Sequence, residues 1–326
     1  MRKPRSLGNF SIETSYRTMR AHWPETAVKP DVHTASRFTS GIANRLAIWR
    51  EVRALPHGLI HITGDIHFTA IGLRTKPVVL TIHDLGLLDE GNAIQRLVKR
   101  LFWLTLPLRA CDRVIAVSDM TRQEIHRRSG YPLDRIAVIP SVISPTFKPR
   151  KSKPDLPKPR ILHIGLADNK NLDRHATAIH GLDVHLRIIG EPSDAQHSML
   201  KENGIEYSCA SKLSEEELQT EYANASLLLF CSTLEGYGMP IIEAQTIGIP
   251  VITSDRSPMR ETAGEGALLA DPEDARSIRQ AVQAILSGDA DGNGLIEAGY
   301  VNAKTCSAAR SAELHEDLYR SLLANT

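Results

Sequence analysis

Short apolar runs ended by turn residues alternate along the chain with stretches whose apolar positions recur at helical spacing. "LIHITG" (59–64), "PVVLTIHD" (77–84), "RVIAVSD" (113–119) and "RIAVIPS" read as buried strands rich in Val and Ile. Between the second and third, "IQRLVKRLFWLTLPLRACD" (94–112) has a helical pattern, and "MTRQEIHRRSG" reads as a short helix closed by Gly130. The same rhythm restarts with "RILHIG" (160–165), a helix in "NKNLDRHATAIHGL", a strand in "VHLRIIG" (184–190), and strands in "SLLLFCS" and "PVITSD". Ser214 and Glu217 stand in capping-box spacing, and Asp271 before Pro272 predicts the start of the helix "EDARSIRQAVQAIL". A long polar-faced helix is expected near 308–324.

Residues 144–160, "SPTFKPRKSKPDLPKPR", hold five prolines and six basic residues, a composition that excludes a helix and predicts an interdomain linker. Strand–helix alternation on both sides predicts an α/β fold with two Rossmann-like parallel-sheet domains facing a cleft. The expected division is residues 1–148 with a crossover helix at about 308–326, a linker at 149–160, and a second domain at 161–307. Ligands of such sheets bind beyond the carboxyl ends of the strands.

Composition changes this picture little. At 326 residues, 42% hydrophobic and 24% charged, the chain is ordinary for a globular protein. No apolar run is long enough for a membrane span, and "MRKPRSLGNF" lacks the apolar stretch of a secretory signal. Cys111, Cys209, Cys231 and Cys306 lack CxxC spacing and read as reduced thiols of a cytoplasmic protein. Charge is more informative. Residues 1–150 carry 23 Lys and Arg against 12 Asp and Glu, while the rest carries 16 against 26, so a net +1 conceals a basic and an acidic half. Such a division suggests an anionic partner for the first half, or attraction between the halves.

The candidate chemistry lies in "STLEGYGMPIIEAQTIG" (232–248), which leaves the carboxyl end of the strand "SLLLFCS". Gly236 and Gly238 let that loop turn tightly and bring backbone N–H groups close to a ligand. Met239 and Pro240 start a helix whose N-terminus suits phosphate oxygens, and Gly248 ends it. Glu243, about one turn into the helix, suits two neighbouring hydroxyls such as those of a ribose. Glu235, before the glycines, is placed to accept hydroxyls from a second polyhydroxy group. A diphosphate flanked by two sugars is a sugar nucleotide. This stretch holds neither an Asp-x-Asp nor a histidine, so a metal is not expected at it.

"EGYGMPIIEA" resembles the E-x7-E motif of the retaining glycosyltransferases of family 4, which have the GT-B fold. "VVLTIHDLG", "ACDRVIAVSDMTRQEI", "IAVIPSVIS", "LHIGLADNKNL" and "IIGEP" follow in that family's order. The resemblance implies a retaining, metal-independent hexosyltransferase that uses a UDP- or GDP-sugar and no cofactor. Glu235 would hold the donor sugar with the backbone of Gly236, Tyr237, Gly238 and Met239, and Glu243 would hold the ribose. Lys170, with Gly165 close by, would neutralise the diphosphate, and His83 would contact the donor sugar from the first domain. Two departures stand out. Leu166 occupies the place where many relatives carry an arginine for the diphosphate, so Lys170 would act alone or with Asn171. The first strand looks trimmed, leaving Gly8 and Asn9 as weak acceptor-side candidates.

The implied acceptor is a glycan or lipid-linked glycan in surface polysaccharide assembly, and the expected donor is a mannosyl nucleotide. Basic residues beside Trp103 in 94–112 suggest peripheral contact with an anionic inner membrane face, against the alternative that this helix buries its aromatics on its own domain. Nucleic acid is not expected as a partner. A glycoside hydrolase also needs paired carboxylates but not a glycine loop feeding a helix N-terminus. A GT-B sugar-nucleotide epimerase and a non-catalytic sugar-nucleotide-binding protein remain as alternatives. A GxGxxG after a strand, as a hydride-transferring Rossmann enzyme would need, is absent.

Overall fold

The computed structural model describes residues 1, 11–25, 27, 29–56, 58–73 and 77–324. Gly8, Asn9 and the question of a trimmed first strand fall outside them. The chain divides into two compact units, Met1–Val142 with Ala308–Thr326, and Ile143–Ser307.

The first unit contains, among the described residues, the parallel sheet β1 (Ile60–Ile62), β2 (Val78–Ile82), β3 (Arg113–Ala116) and β4 (Ile136–Val138), in that order. Helices α1 (Ser11–Ala21), α2 (Ile42–Arg53), α3 (Ala93–Lys99), α4 (Leu106–Ala110) and α5 (Asp119–Ser129) accompany it. Every side chain of β2 is buried because both faces of the sheet are covered. Val78, Leu80 and Ile82 join one core cluster with Ile48, Leu104 and Ile125. Val79 points the other way, into a cluster with Ile115 and Ile139 that Leu314, Leu318 and Leu322 of the last helix close over. The sequence-predicted strands all appear here, each shorter than expected. The expected single helix over 94–112 does not: a π-helical turn, Arg100–Thr105, separates α3 from α4. That turn directs Leu104 inward, and Pro107 follows at the start of α4.

The second unit runs β5 (Arg160–Ile164), α6 (Leu172–Ile179), β6 (His185–Ile189), α7 (Asp194–Glu202), β7 (Tyr207–Ala210), α8 (Glu215–Ala223), β8 (Leu227–Phe230), α9 (Met239–Ile247), β9 (Val251–Ser254), α10 (Met259–Ala263), β10 (Leu268–Ala270), α11 (Ala275–Ser287) and α12 (Gly292–Ala303). Its parallel sheet has the order β10-β9-β8-β5-β6-β7. From β5 the chain builds outward through β6 and β7, then returns and builds the other way from β8. The switch point therefore lies between β5 and β8. Helix α13 (Ala308–Leu323) follows as part of the first unit.

Three expectations need correction. Residues 144–160, read as a linker, belong to the second unit: Phe147 is buried in its core, and the Arg150 N–H donates to the Ile247 carbonyl. Asp274, not Asp271, caps α11 by accepting from the Arg276 N–H, while Asp271 stabilises the preceding turn through the Glu273 N–H. Strands β7 and β10 were not expected, since one is a half-buried edge strand with polar positions and the other is three residues long.

Candidate active site

Two loops leave the carboxyl ends of β5 and β8, the strands that flank the switch point. The first, residues 165–171, opens at Gly165 with φ +87°, a backbone state that favours glycine. A Cβ there would stand 3.0 Å from Cε and 3.1 Å from Cγ of Lys170, so the glycine also makes room for the lysine stem. The second, residues 231–238, ends at Gly238 with φ +105°, directly before α9. Pro240 sits in the first turn of α9, and no side chain of the described residues caps that helix.

The loops are joined at several points. The Lys170 ammonium lies 2.6 Å from Glu235 Oε1 and 4.9 Å above the Phe230 ring. Asn169 Nδ2 donates to the Leu234 carbonyl at 2.7 Å, and the Asn169 carbonyl accepts from the Thr233 N–H at 2.8 Å. Asn171 is buried in a left-handed conformation, and its amide is fully engaged. It donates to the carbonyls of Cys231 and Pro272 and accepts from Arg174. Asn171 thus ties the loops together, and its side chain is not turned toward an incoming phosphate. Leu166 packs over Gly190, where a Cβ would stand 2.6 Å from its Cδ1, so the departure from the relatives' arginine serves packing.

Glu243, on α9, accepts from the buried Tyr222 hydroxyl of α8 at 2.5 Å. Burial raises its carboxyl above the ordinary range to about 7, the Tyr222 bond opposing the rise and nearby Glu215 adding to it. Glu215 itself accepts from Ser144 at 2.7 Å and Thr146 at 3.2 Å. Tyr237 turns its hydroxyl to Cys306 Sγ at 2.8 Å, and Thr262 donates to its carbonyl, so this residue holds the loop. Gly236 and Met239 complete the stretch.

A pair of buried histidines supports both loops from below. His175 Nε2 accepts from the Cys231 N–H at 3.2 Å, which places its proton on Nδ1. That proton is donated to His163 Nδ1 at 2.9 Å, and His163 Nε2–H donates in turn to the Gly165 carbonyl at 2.8 Å. Both rings are neutral in this chain, in keeping with burial, which lowers His163 to about 4 and holds His175 well below the ordinary histidine range, the neighbouring His163 adding to the effect. Sequence reasoning missed Tyr222, Asn169, His163 and His175. The histidine spacing, 163 and 175, carries no signal until a strand and a helix bring the rings together.

His83 lies in the first unit at the carboxyl end of β2, where its Nε2–H donates to the Thr63 carbonyl at 3.1 Å. It lines a small cavity with Tyr16, Thr81, Ser141 and His315. Below it, His61 bridges Thr81 and Tyr319 through its two ring nitrogens, at 2.7 and 2.5 Å. Among the described residues, no three His, Cys, Asp or Glu side chains converge as a metal site. All four cysteines are unpaired, three of them buried.

Two such loops at the switch point of a parallel sheet lie where α/β proteins of this class bind their ligands. Its family is shown by sequence. Residues 145–301 match the glycosyl transferases group 1 and residues 11–147 match Glycosyltransferase Family 4, so the chain belongs to these glycosyltransferases. The epimerase alternative finds no support there. The chain is 27% identical over 264 residues to the O-antigen chain mannosyltransferase B of Escherichia coli, covering 72% of this chain and 69% of that protein. It is 27% identical to the O-antigen chain mannosyltransferase RfbU of Salmonella typhimurium, covering 67% of this chain and 63% of the relative. Sucrose-phosphate synthase from Thermosynechococcus elongatus superposes with a TM-score of 0.74 at 22% identity, over 86% of this chain and 78% of its own. Anabaena HepE, in complex with UDP and glucose, gives 0.71 at 16% identity, over 89% and 86%. These likenesses show the GT-B fold.

Proposed function

We propose that the protein transfers a hexose from a UDP- or GDP-sugar to a hydroxyl of a glycan or lipid-linked acceptor, with retention and without a metal. The observation that carries this reading is the Lys170–Glu235 pair at 2.6 Å, which sets a cation and a hydroxyl acceptor side by side before the uncapped N-terminus of α9. Mannose is the favoured sugar and surface polysaccharide the favoured product, because the relatives reported above are O-antigen chain mannosyltransferases. The place of action in this reading is the cytoplasmic face of the membrane, reached by peripheral contact. No helix of the described residues is long and apolar enough to cross a membrane.

In this reading the bond between the anomeric carbon and the diphosphate oxygen breaks, and its electron pair leaves with the diphosphate. Lys170 and the α9 N-terminus hold the charge that develops there. The acceptor oxygen bonds to the same face of the sugar, and its proton passes to a diphosphate oxygen. Glu235 orients the sugar hydroxyls, Glu243 takes the ribose diol, and Tyr222 fixes the Glu243 carboxylate. His83 is assigned to the donor sugar on its motif. Binding of donor moves Lys170 from its pair with Glu235 alone to a position shared with phosphate.

Thermal stabilisation by a panel of nucleoside diphosphates and sugar nucleotides, in chelator, tests the reading. A rise with one base, lost in Glu243→Ala, is the expected result. Lys170→Ala should lower transfer about 100-fold or more, the scale on which removal of one charge-stabilising group acts. Absence of a shift with every base would overturn the site. A shift without transfer to any acceptor would favour the non-catalytic binding protein.

A further inference from the structure

Helix α3 is unusual in that none of its seven side chains is buried, although a short helix draws most of its stability from packing. An Asn92–Gln95 capping box holds its first turn, and the π-helical turn anchors its far end. Ile94 (75% exposed), Leu97 (68%), Val98 (48%), Leu101 (40%) and Phe102 (41%) project into solvent. Their spacing of i, i+3, i+4, i+7 and i+8 makes one continuous stripe. Scattered exposed apolar residues are ordinary, but a continuous stripe marks a contact surface.

The charge beside it identifies what meets it. A groove beside the stripe is lined by Leu97 and Leu88 together with Arg96, Arg100, Arg127 and Arg128, against a single carboxylate, Asp89. Arg128 is committed to Asp89 and Glu124, and Arg127 to Glu124. Arg96 has no ion pair among the described residues, and Arg100 donates only to the Arg128 carbonyl. Both guanidinium groups can therefore take a phosphate. Trp103 is excluded from this surface: its Nε1–H donates to the Asp65 carbonyl at 3.1 Å and its ring packs on Phe68. The Trp thus serves the domain's core, as the second alternative drawn from the sequence expected, while its helical neighbours face outward.

We infer that the α3 stripe and the arginine groove beside it form the surface by which the protein docks on a bilayer of anionic lipids, the stripe entering the acyl boundary and the arginines taking headgroup phosphates. This rests on the peripheral contact in the functional reading and gives it a location.

Co-sedimentation of the full chain with vesicles, in the absence of donor and acceptor, tests this independently of transfer. The partition coefficient onto equimolar phosphatidylglycerol and phosphatidylcholine should exceed that onto phosphatidylcholine alone by about tenfold, and high salt should remove the difference. Leu97→Glu with Leu101→Glu should lower binding to anionic vesicles about tenfold with an unchanged Tm, since both side chains are exposed. Arg96→Gln with Arg100→Gln should abolish the preference for anionic lipid and leave residual binding. Equal partition of wild type and both variants would overturn the proposal. So would wild-type binding that ignores lipid charge. If the Leu97/Leu101 variant instead converts a dimer to a monomer in sedimentation velocity, the stripe belongs to a second copy and the membrane reading falls. Loss of vesicle binding with transfer to a soluble acceptor preserved would separate docking from catalysis.

Discussion

At the scale of single residues, the charged groups of the site are each held by a named partner. Lys170 and Glu235 neutralise one another at 2.6 Å, and Glu243 avoids its own charge cost by staying protonated up to about 7. The consequences can be given a sign. A carboxyl whose folded pKa is raised stabilises the fold below its unfolded value, and that contribution is lost as pH rises through about 7. Glutamine at 243 should remove this dependence, which amounts to roughly 3 kcal/mol between pH 4 and 8. A ribose diol prefers the ionised carboxylate, so nucleoside affinity should rise toward pH 7 by up to about tenfold per unit, and flatten in Glu243→Gln. Titration calorimetry with the nucleoside, which lacks a titrating phosphate, measures this. Glu235 and Glu243 stood out in the sequence through their glycine loop and helix start, and Lys170 through the family resemblance; the structure brings Lys170 and Glu235 together. Tyr222 was not, since it reaches Glu243 across 21 positions of sequence and only after α8 packs on α9. Asn171 was legible as polar, but the two carbonyls that engage its amide come from Cys231 and Pro272.

At the scale of elements, the loops are positioned by the sheet and by each other. Gly165 illustrates how little space is left: φ +87° and the Lys170 stem at 3.0 Å both require the absence of a side chain. Alanine there should displace Lys170 and lower transfer about tenfold or more, with a stability loss of about 1–3 kcal/mol, as steady-state kinetics and denaturant unfolding would report. Retained kinetics with reduced stability would show that the lysine finds its position by another path. Most strands were legible from apolar runs, because a parallel sheet covered on both faces writes its burial into sequence as continuous Val, Ile and Leu. β7 escaped because "YSCA" is half-buried throughout at the sheet's edge. α12 escaped because three glycines lower its helical signal, and one of them, Gly299, packs against Gln245 of α9. The break at Arg100–Thr105 left no mark that periodicity could register, since a π-helical turn shifts the stripe by a single residue.

At the scale of the molecule, each unit has its own sheet and its own core, and the division falls at 142/143 and again at 307/308. The proline-rich stretch suggested a boundary in nearly the right place, but its prolines and basic residues run along the second unit, where Phe147 and Arg150 are engaged. α13 belongs to the first unit's core. Tyr319 stacks on Trp23 at 5.7 Å and reaches His61, while Leu314 and Leu318 close over Val79. Removing residues 308–326 should therefore unfold or expand the first unit while the second keeps the nucleoside-diphosphate binding proposed for it, which hydrogen exchange with and without ligand would resolve. A further consequence concerns the order of events on the ribosome. The second unit is contiguous, so it can complete its core during synthesis. The first unit is translated earlier but waits with one face of its sheet only partly covered, by Tyr16 of α1, until α13 emerges. During that interval the chain exposes Val79, Ile115 and Ile139 as a chaperone client would, and the part made first is the part finished last.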